Sequence, residues 1–166
     1  MTINAIREEY ARYRDLGRRA IDQASDAGLN QVYGEHHSIG VNVRHLHAVL
    51  IARLSDFLTS DGDKPWRRRD EEFVRSFYPR GELVRLYEEA WAVADDTLGA
   101  LSDADLATEV RFRSQTTRAD LALWSLAAHI AYHVGQIVLL ARQAPAKEWK
   151  PVSVPVRSAA KTAAGH

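Results

Sequence analysis

The chain has 166 residues, 46% of them hydrophobic, which predicts one domain spanning residues 1–166 around a single core. Its 22 basic residues balance its 22 acidic residues, so no net positive field favours nucleic acid or an anionic membrane. The sequence has no cysteine, which excludes disulfides, cysteine-rich zinc sites and a thiol nucleophile of its own. Any metal must therefore be held by nitrogen and oxygen atoms.

The first predicted helix lies near the N-terminus. Apolar residues recur there at steps of three and four from Ile3 through Tyr10 to Ala24, the period of a helix with one buried stripe. We expect this helix to end near Ala27 and Gly28. The segment lacks the apolar core of a signal peptide, and no stretch of the sequence approaches the roughly 20 apolar residues of a membrane span. We therefore expect a soluble, cytoplasmic protein with no membrane partner.

Two more helices are predicted in the middle of the chain. The second covers residues 38–58 and stops where glycine and proline break the helical pattern at 60–65. The third begins after Pro79 and ends near Ser102, with an apolar stripe of the same period.

The last part of the chain predicts a hairpin, a fourth helix and an irregular tail. Residues 109–113 alternate polar and apolar side chains like a half-exposed strand, and the four residues after them are its predicted hairpin partner. The fourth helix is predicted from Thr117, with Asp120 completing a capping box. Residues 145–166 are expected to form an irregular strap anchored by Trp149. The predicted fold is all-α, a four-helix bundle with a small β-hairpin insertion before the last helix.

His129 and His133 are the most informative residues of the sequence. They lie four residues apart in an apolar run, so a helix places both imidazoles on one face, one turn apart. The glutamate that serves as general base in His-Glu-x-x-His zinc proteases is replaced by Ile130, so such a protease is not favoured. The pair is a candidate half of a metal site; the alternative is two packed histidines that bind nothing.

A metal held by this pair needs at least one more ligand, because structural zinc takes four protein ligands and catalytic zinc about three. The candidates are His45 and His47 on the second helix and His36 and His37 just before it. Helical periodicity does not choose between His45 and His47, since each lies three or four residues from apolar neighbours.

Four segments carry a family resemblance that covers most of the chain from about residue 38 onward. They are residues 38–46 (SIGVNVRHL), 56–73 (DFLTSDGDKPWRRRDEEF), 128–141 (AHIAYHVGQIVLLA) and 148–155 (EWKPVSVP). In this order they resemble an uncharacterised branch of the DinB/YfiT-like superfamily, a group regarded as metalloenzymes.

The resemblance implies an up-down-down-up bundle that holds a divalent metal, often nickel or zinc. One histidine on the second helix and two on the fourth would be the ligands, and in this sequence those positions are His45, His129 and His133. His47 is then a surface or supporting histidine, and the two histidines before the second helix are loop residues. The resemblance also implies a homodimer.

Three neutral imidazoles leave the charge of the ion uncompensated, which favours an anionic fourth ligand such as hydroxide, carboxylate or thiolate. The resemblance implies enzymes that transfer a low-molecular-weight thiol to an electrophile, or isomerise a substrate with mycothiol, the thiol arriving as a cosubstrate. Two alternatives stay open. One is a hydrolase that uses metal hydroxide, and the other is a non-catalytic stress-response or ligand-binding bundle fastened by the metal.

Arg67 and Arg69 are candidate substrate-binding residues. They belong to a basic cluster at residues 64–70, and either could hold a substrate carboxylate or phosphate through a bidentate contact. The alternative is that these charges form solvated ion pairs with the acidic residues beside them.

Metal-bound histidines usually donate their second ring N–H to a partner that fixes the ring. Asn42 and Ser125 each lie one turn before a metal-ligating histidine of their own helix. Tyr132 and Gln136 are further candidates for this role.

Overall fold

The computed structural model describes residues 2–34 and 37–153 of the chain. Within them, the elements in chain order are α1 (Ile3–Gln23), α2 (Asp26–Asn30), α3 (Ile39–Leu54), α4 (Arg80–Ala100), β1 (Glu109–Phe112), β2 (Gln115–Arg118) and α5 (Ala119–Gln143). Short 3₁₀ turns at Arg69–Phe73 and Asp105–Ala107 lie in the connections before α4 and β1. His36 and residues 154–166 of the predicted strap lie outside the described residues.

The predicted helices are present, with shifted ends. Helix α1 ends at Gln23, and a separate short helix follows, where the Ser25 hydroxyl accepts a hydrogen bond of 3.0 Å from the Gly28 amide. Helix α3 ends at Leu54 rather than at residue 58. Asp56 adopts a left-handed backbone conformation with φ of 53°, which turns the chain away from the helix axis.

The capping box predicted at the start of the last helix is wrong. Thr117 pairs with Val110 in the β-ladder, which commits its backbone to the hairpin. Helix α5 begins only at Ala119 and has no side-chain cap. The Asp120 carboxylate instead accepts a hydrogen bond of 2.7 Å from Arg118 Nη2.

Hydrogen bonds between helices define the topology of the bundle. Tyr10 Oη, in the first half of α1, donates to Leu123 O in the first turns of α5 at 2.8 Å, so these helices run in the same direction. Arg7 Nε, near the start of α1, donates to Leu98 O near the end of α4 at 2.9 Å, so α4 runs oppositely.

Helix α3 packs most extensively against α4, and α1 against α5. Thr97 Oγ1 donates to Leu54 O at 3.1 Å, which brings the ends of α4 and α3 together and makes these helices parallel. The order is therefore up-down-down-up for α1, α3, α4 and α5, as the family resemblance implied. The antiparallel contact between α3 and α5 is the one that positions the candidate site.

The hairpin between α4 and α5 turns through two non-glycine residues with positive φ, Arg113 (55°) and Ser114 (62°). Two such residues match the twist of a two-residue hairpin, although glycine or asparagine normally occupies these positions. On β1, Val110 and Phe112 point inward and are buried. The turn therefore begins at Arg113, directly after the buried Phe112.

Helix α5 is long and apolar enough, by length and composition, to cross a membrane, which corrects the expectation that no such stretch exists. Its inward side chains, such as Leu123, Leu126 and Ile130, are buried in the bundle core. Burial in a bundle is sufficient to account for this composition.

The strap is irregular as far as it is described, up to residue 153. Pro145 pairs with Ala24, and Ala146 N donates to Gln23 O at 2.8 Å, so the strap is attached to the end of α1. Trp149 packs against the core with part of its surface exposed.

Two helical glycines give a matched test of this packing. A Cβ at Gly17 would collide with the Tyr87 hydroxyl, which hydrogen-bonds to the α1 backbone, whereas a Cβ at Gly135 meets no atom within 4 Å among the described residues. We expect Gly17→Ala to lower the free energy of unfolding by about 1–3 kcal/mol through overpacking. We expect Gly135→Ala to raise it by about 0.5–1 kcal/mol. Urea denaturation measures both, and equal effects would contradict this packing.

Candidate metal centre

Three histidines from two antiparallel helices meet in the interior of the bundle. His45 lies on α3, and His129 and His133 lie one turn apart on α5. The ligand atoms of the three rings all lie within 4.8 Å of one another. The ring centroid of His45 is 4.5 Å from that of His133 and 5.2 Å from that of His129. The structure therefore brings together the three histidines that the resemblance implied.

The outer nitrogen of His45 is held by a carboxylate that sequence reasoning missed. Glu72, in the 3₁₀ turn after α3, accepts a hydrogen bond of 2.7 Å from His45 Nδ1, and both side chains are buried. Arg67 holds the same carboxylate through Nε (2.7 Å) and Nη2 (2.8 Å). With Nδ1 carrying the proton, the lone pair of His45 Nε2 faces the other two histidines.

His133 is oriented in the same way by an amide. Asn42 Nδ2 donates to Ser38 O at 2.9 Å, which turns Asn42 Oδ1 toward His133 Nδ1 at 2.9 Å. His133 Nδ1 then carries the proton, and its Nε2 is left with a lone pair. Asn42 therefore fixes His133 on the facing helix, not His45 one turn away as expected from sequence.

The inner nitrogens form a donor set that suits a divalent cation. His45 Nε2 and His129 Nε2 are 3.0 Å apart, and two lone pairs this close repel unless a proton or a cation lies between them. Tetrahedral zinc with Zn–N bonds of about 2.0–2.1 Å places its ligand nitrogens about 3.3 Å apart. The His45–His129 pair thus fits a divalent metal after a shift of only a few tenths of an ångström, and the ligand atom of His133 lies within 4.8 Å of both.

Burial keeps His129 and His133 neutral at neutral pH. It lowers the pKa of His129 to about 4 and that of His133 to about 3, and nearby positive charges add to both effects. Burial opposes ionisation of Glu72, but hydrogen bonds from His45 and Arg67 outweigh it and lower the pKa of the carboxyl. At neutral pH the site therefore contains neutral His129 and His133 rings and an ionised Glu72 carboxylate.

The other candidates lie outside the cluster. His47 Nε2 faces the Glu89 carboxylate of α4 at 3.4 Å, so His47 is a partly exposed supporting residue. His37 is a loop residue just before α3, and its ring stacks on Phe73. Ser125 is exposed, and Tyr132 packs edge-on against the ring of His133.

A cavity of about 420 Å³ opens beside His45 and His129. Val49 and Leu126 supply apolar wall, and Asp63 supplies a carboxylate. Four arginines also line it: Arg53, Arg67, Arg69 and Arg113. The sequence pointed to the second and third of these and missed the other two. An arginine-rich cavity beside three imidazoles is the main chemical feature of this part of the molecule.

Of the two arginines predicted to bind substrate, Arg67 is nearly buried and makes its bidentate contact with Glu72. Arg69 is mostly exposed, stacks its guanidinium near Phe73 and lies 3.9 Å from Asp70. Both arginines line the cavity. The guanidinium of Arg67 is already engaged by Glu72, whereas that of Arg69 is exposed.

Comparison with known proteins places this arrangement in a family. The model of DUF1572, a family of proteins of unknown function, matches residues 2–158. The chain belongs to the DUF1572 family. No curated protein matches it. The crystal structure of a DinB-like protein from Bacillus cereus ATCC 10987 is similar to this DUF1572 chain, with a TM-score of 0.67 and 20% identity over 86% of this chain and 92% of that one. The DinB-like fold predicted from the sequence is confirmed.

Glu72→Gln tests whether the carboxylate that accepts from His45 supports metal binding in this DUF1572 protein. We expect zinc affinity to fall about 10–100-fold, because the neutral amide is a weaker acceptor for His45 Nδ1–H and a poorer partner for Arg67. Competition with a chromogenic chelator measures the affinity. Glu71→Gln is the matched control, since Glu71 is exposed and pairs with Arg68. Equal affinities in the two variants would show that Glu72 does not support the site.

The lowered histidine pKa values make the stability of the metal-free protein depend on pH. Unfolded histidines take up protons near pH 6.5, whereas His129 and His133 resist protonation down to about pH 4 and 3. The unfolded state thus binds more protons as the pH falls from about 6.5 toward 4, and the free energy of unfolding should decrease over this window. Urea denaturation between pH 7.5 and 5 measures the slope. His133→Asn should flatten it, and an unchanged slope would contradict the buried neutral state.

Proposed function

We propose that this protein is an enzyme that uses a divalent metal, nickel or zinc, to transfer a low-molecular-weight thiol to an electrophilic small molecule. The observation that supports this most is the convergence of three imidazole Nε2 positions beside a cavity of about 420 Å³. Structural zinc sites use four protein ligands, whereas catalytic sites use about three and keep one position for water or substrate. Within the described residues, the metal-ligand cluster contains three side chains, all histidines.

His45, His129 and His133 would hold the ion. When bound there, a divalent cation lowers the pKa of a coordinated thiol or water and supplies a nucleophile at neutral pH. The protein orients two of these imidazoles through hydrogen bonds to their Nδ1 atoms, from His45 to Glu72 and from His133 to Asn42. These groups act on the ligands and do not touch the reacting atoms.

The thiol must come from a second molecule, because the chain has no cysteine. In the proposed reaction, the sulfur of RSH forms a bond to an electrophilic carbon as the bond from that carbon to its leaving group breaks. The leaving group departs with the bonding electrons, and the thiol proton passes to it or to solvent. No group is oxidised or reduced, so the reaction needs no redox partner.

A second candidate function uses the same open position. Three neutral ligands also suit activation of water, which would make the protein a hydrolase. A role in which the metal only fastens the bundle is less favoured, because a cavity adjoins the ligands and gives a small molecule access to them. If the metal only stabilised the bundle, removing it with a chelator would lower the melting temperature strongly, and small molecules would not compete for the ion.

Metal content is the first test of the proposed function. Untagged wild-type protein should carry about one divalent ion per chain, while His129→Ala and His133→Ala should each lose it, because two imidazoles rarely retain zinc. Elemental analysis after gentle purification measures this. Wild-type protein without stoichiometric metal, even after incubation with nickel or zinc, would contradict the proposal that the three histidines bind a divalent ion.

Turnover is the second test. We expect the loaded protein to consume thiols such as cysteine or glutathione together with monochlorobimane faster than the metal-free protein does, and His133→Ala to abolish the difference. Fluorescence of the conjugate measures the rate. A rate at the metal-free background would count against thiol transfer, and cleavage of p-nitrophenyl esters without thiol would favour the hydrolase.

The proposal includes two other expectations, a cytoplasmic location from the sequence and a homodimer from the family resemblance. Leu121, Tyr132 and Leu139 are exposed and follow one another along one side of α5, which is consistent with a second copy packing there. Sedimentation velocity of the purified protein tests the dimer.

A further inference from the structure

Arg53 is a buried cation whose charge is poorly matched by its surroundings. It lies on α3 two turns after His45 and is only 8% exposed, yet its Nη1 has no hydrogen-bond partner among the described residues. Its Nη2 is 3.8 Å from Asp63 Oδ1, which is beyond hydrogen-bonding distance. A buried donor without an acceptor is costly, so such a group calls for an explanation. Arg53 lines the cavity beside the three histidines, so an acceptor bound there could reach it.

Arg113 approaches the same place from another element. Its guanidinium lies 5.6 Å from the ring centroid of Phe112, and that of Arg53 lies 5.0 Å from the same centroid. Phe112 therefore makes cation–π contacts with both guanidinium groups, and both arginines line the same cavity. Arg113 also sits in the hairpin turn with positive φ, a backbone conformation that costs free energy in a residue other than glycine.

The charges around the cavity do not cancel. The positive charge of Arg67 is matched by Glu72, and Arg69 lies 3.9 Å from Asp70. Arg53 and Arg113 face a single carboxylate of the cavity lining, that of Asp63. Burial lowers the pKa of Arg53, and the attraction of Asp63 offsets this only in part. A divalent cation on the histidines would add further positive charge. An anion in the cavity would relieve this repulsion and satisfy the Arg53 donor.

We infer that this cavity is an anion subsite, in which Arg53 and Arg113 bind the carboxylate or phosphate of a small organic substrate, with Arg69 at the rim. The inference rests on the proposed function in that it names the class of substrate brought to the metal. A volume of about 420 Å³ suits an organic molecule rather than an inorganic ion alone. Guanidinium groups bind both oxyanions through paired N–H donors, so the two anion types share this chemistry.

The same geometry assigns Arg67 a different role. Two of its nitrogens are engaged by Glu72, and Glu72 holds His45. Arg67 is thus a positioning residue that acts on the metal ligand through a carboxylate. Substrates with a neutral end are selected against because they leave the charge of Arg53 uncompensated, and those with a cationic end because they add to it.

The test compares charged probes with a neutral isostere. Benzoate, phenyl phosphate and benzamide are titrated into the full chain by calorimetry, with the metal content of the same samples measured. We expect benzoate or phenyl phosphate to bind saturably and benzamide to bind at least tenfold more weakly. Which of the two anions binds more tightly distinguishes a carboxylate substrate from a phosphate substrate. We expect Arg53→Gln to weaken anion binding about tenfold or more, since a charge-assisted contact is lost.

Three further variants make the result decisive. Arg113→Gln should weaken anion binding several-fold, and it decides the matter if Arg53→Gln does not fold. Arg53→Lys should restore part of the affinity, because it keeps the charge but loses the planar fork. Arg12→Gln, an exposed arginine on α1 paired with Glu9, is the control and should bind anions like wild type.

The inference is overturned if the anions bind no more tightly than benzamide, or if Arg53→Gln and Arg113→Gln bind them as wild type does. If the sample holds stoichiometric metal and still shows one of these two results, the anion subsite is rejected but the proposed metal-dependent function is not. Conversely, Arg53-dependent anion binding by a protein that takes up no metal supports the subsite and rejects the metal-dependent function.

Discussion

The site depends on the hydrogen bonds that hold the His45 and His133 rings at their Nδ1 atoms. Glu72 and Asn42 accept the Nδ1 protons of His45 and His133, so the inner Nε2 lone pairs face a common centre inside the bundle. Lone pairs in such proximity repel, and burial disfavours protonation of His129 and His133 at neutral pH. A cation at that centre would convert the repulsion into coordination. The arrangement of α3, α5 and the 3₁₀ turn is what makes this geometry possible.

The up-down-down-up order gives the site its second component. Because α3 and α5 are antiparallel, the connection after α3 and the hairpin before α5 lie at the same end of the bundle. The first contributes Glu72 and Arg69, and the second contributes Arg113. The three histidines thus come from helices, which hold them rigidly, while the charged cavity lining comes largely from connections.

Local pattern was enough to predict the helices, because their apolar stripes repeat over many residues. It also paired His129 with His133, since a four-residue step fixes a common face. His45 could not be chosen over His47 by periodicity and came from the family resemblance. The structure shows the difference between them: His45 faces α5, whereas His47 faces the Glu89 carboxylate of α4.

Long-range contacts could not be predicted in this way. Glu72 is one of three consecutive acidic residues, and nothing in that run marks it as the buried one. Arg53 resembles an ordinary basic residue near the end of a helix, and the importance of Arg113 depends on a turn folding over Phe112. The failed capping box at Thr117 has a similar cause, because pairing within the hairpin overrode a local signal.

The most direct test of the central claim is X-ray absorption spectroscopy of the zinc-loaded protein, before and after addition of a thiol. Three imidazole nitrogens at about 2.0–2.1 Å, joined by a sulfur at about 2.3 Å when thiol is added, are the predicted result. A spectrum without imidazole scattering, or with four protein ligands that no thiol alters, would contradict it.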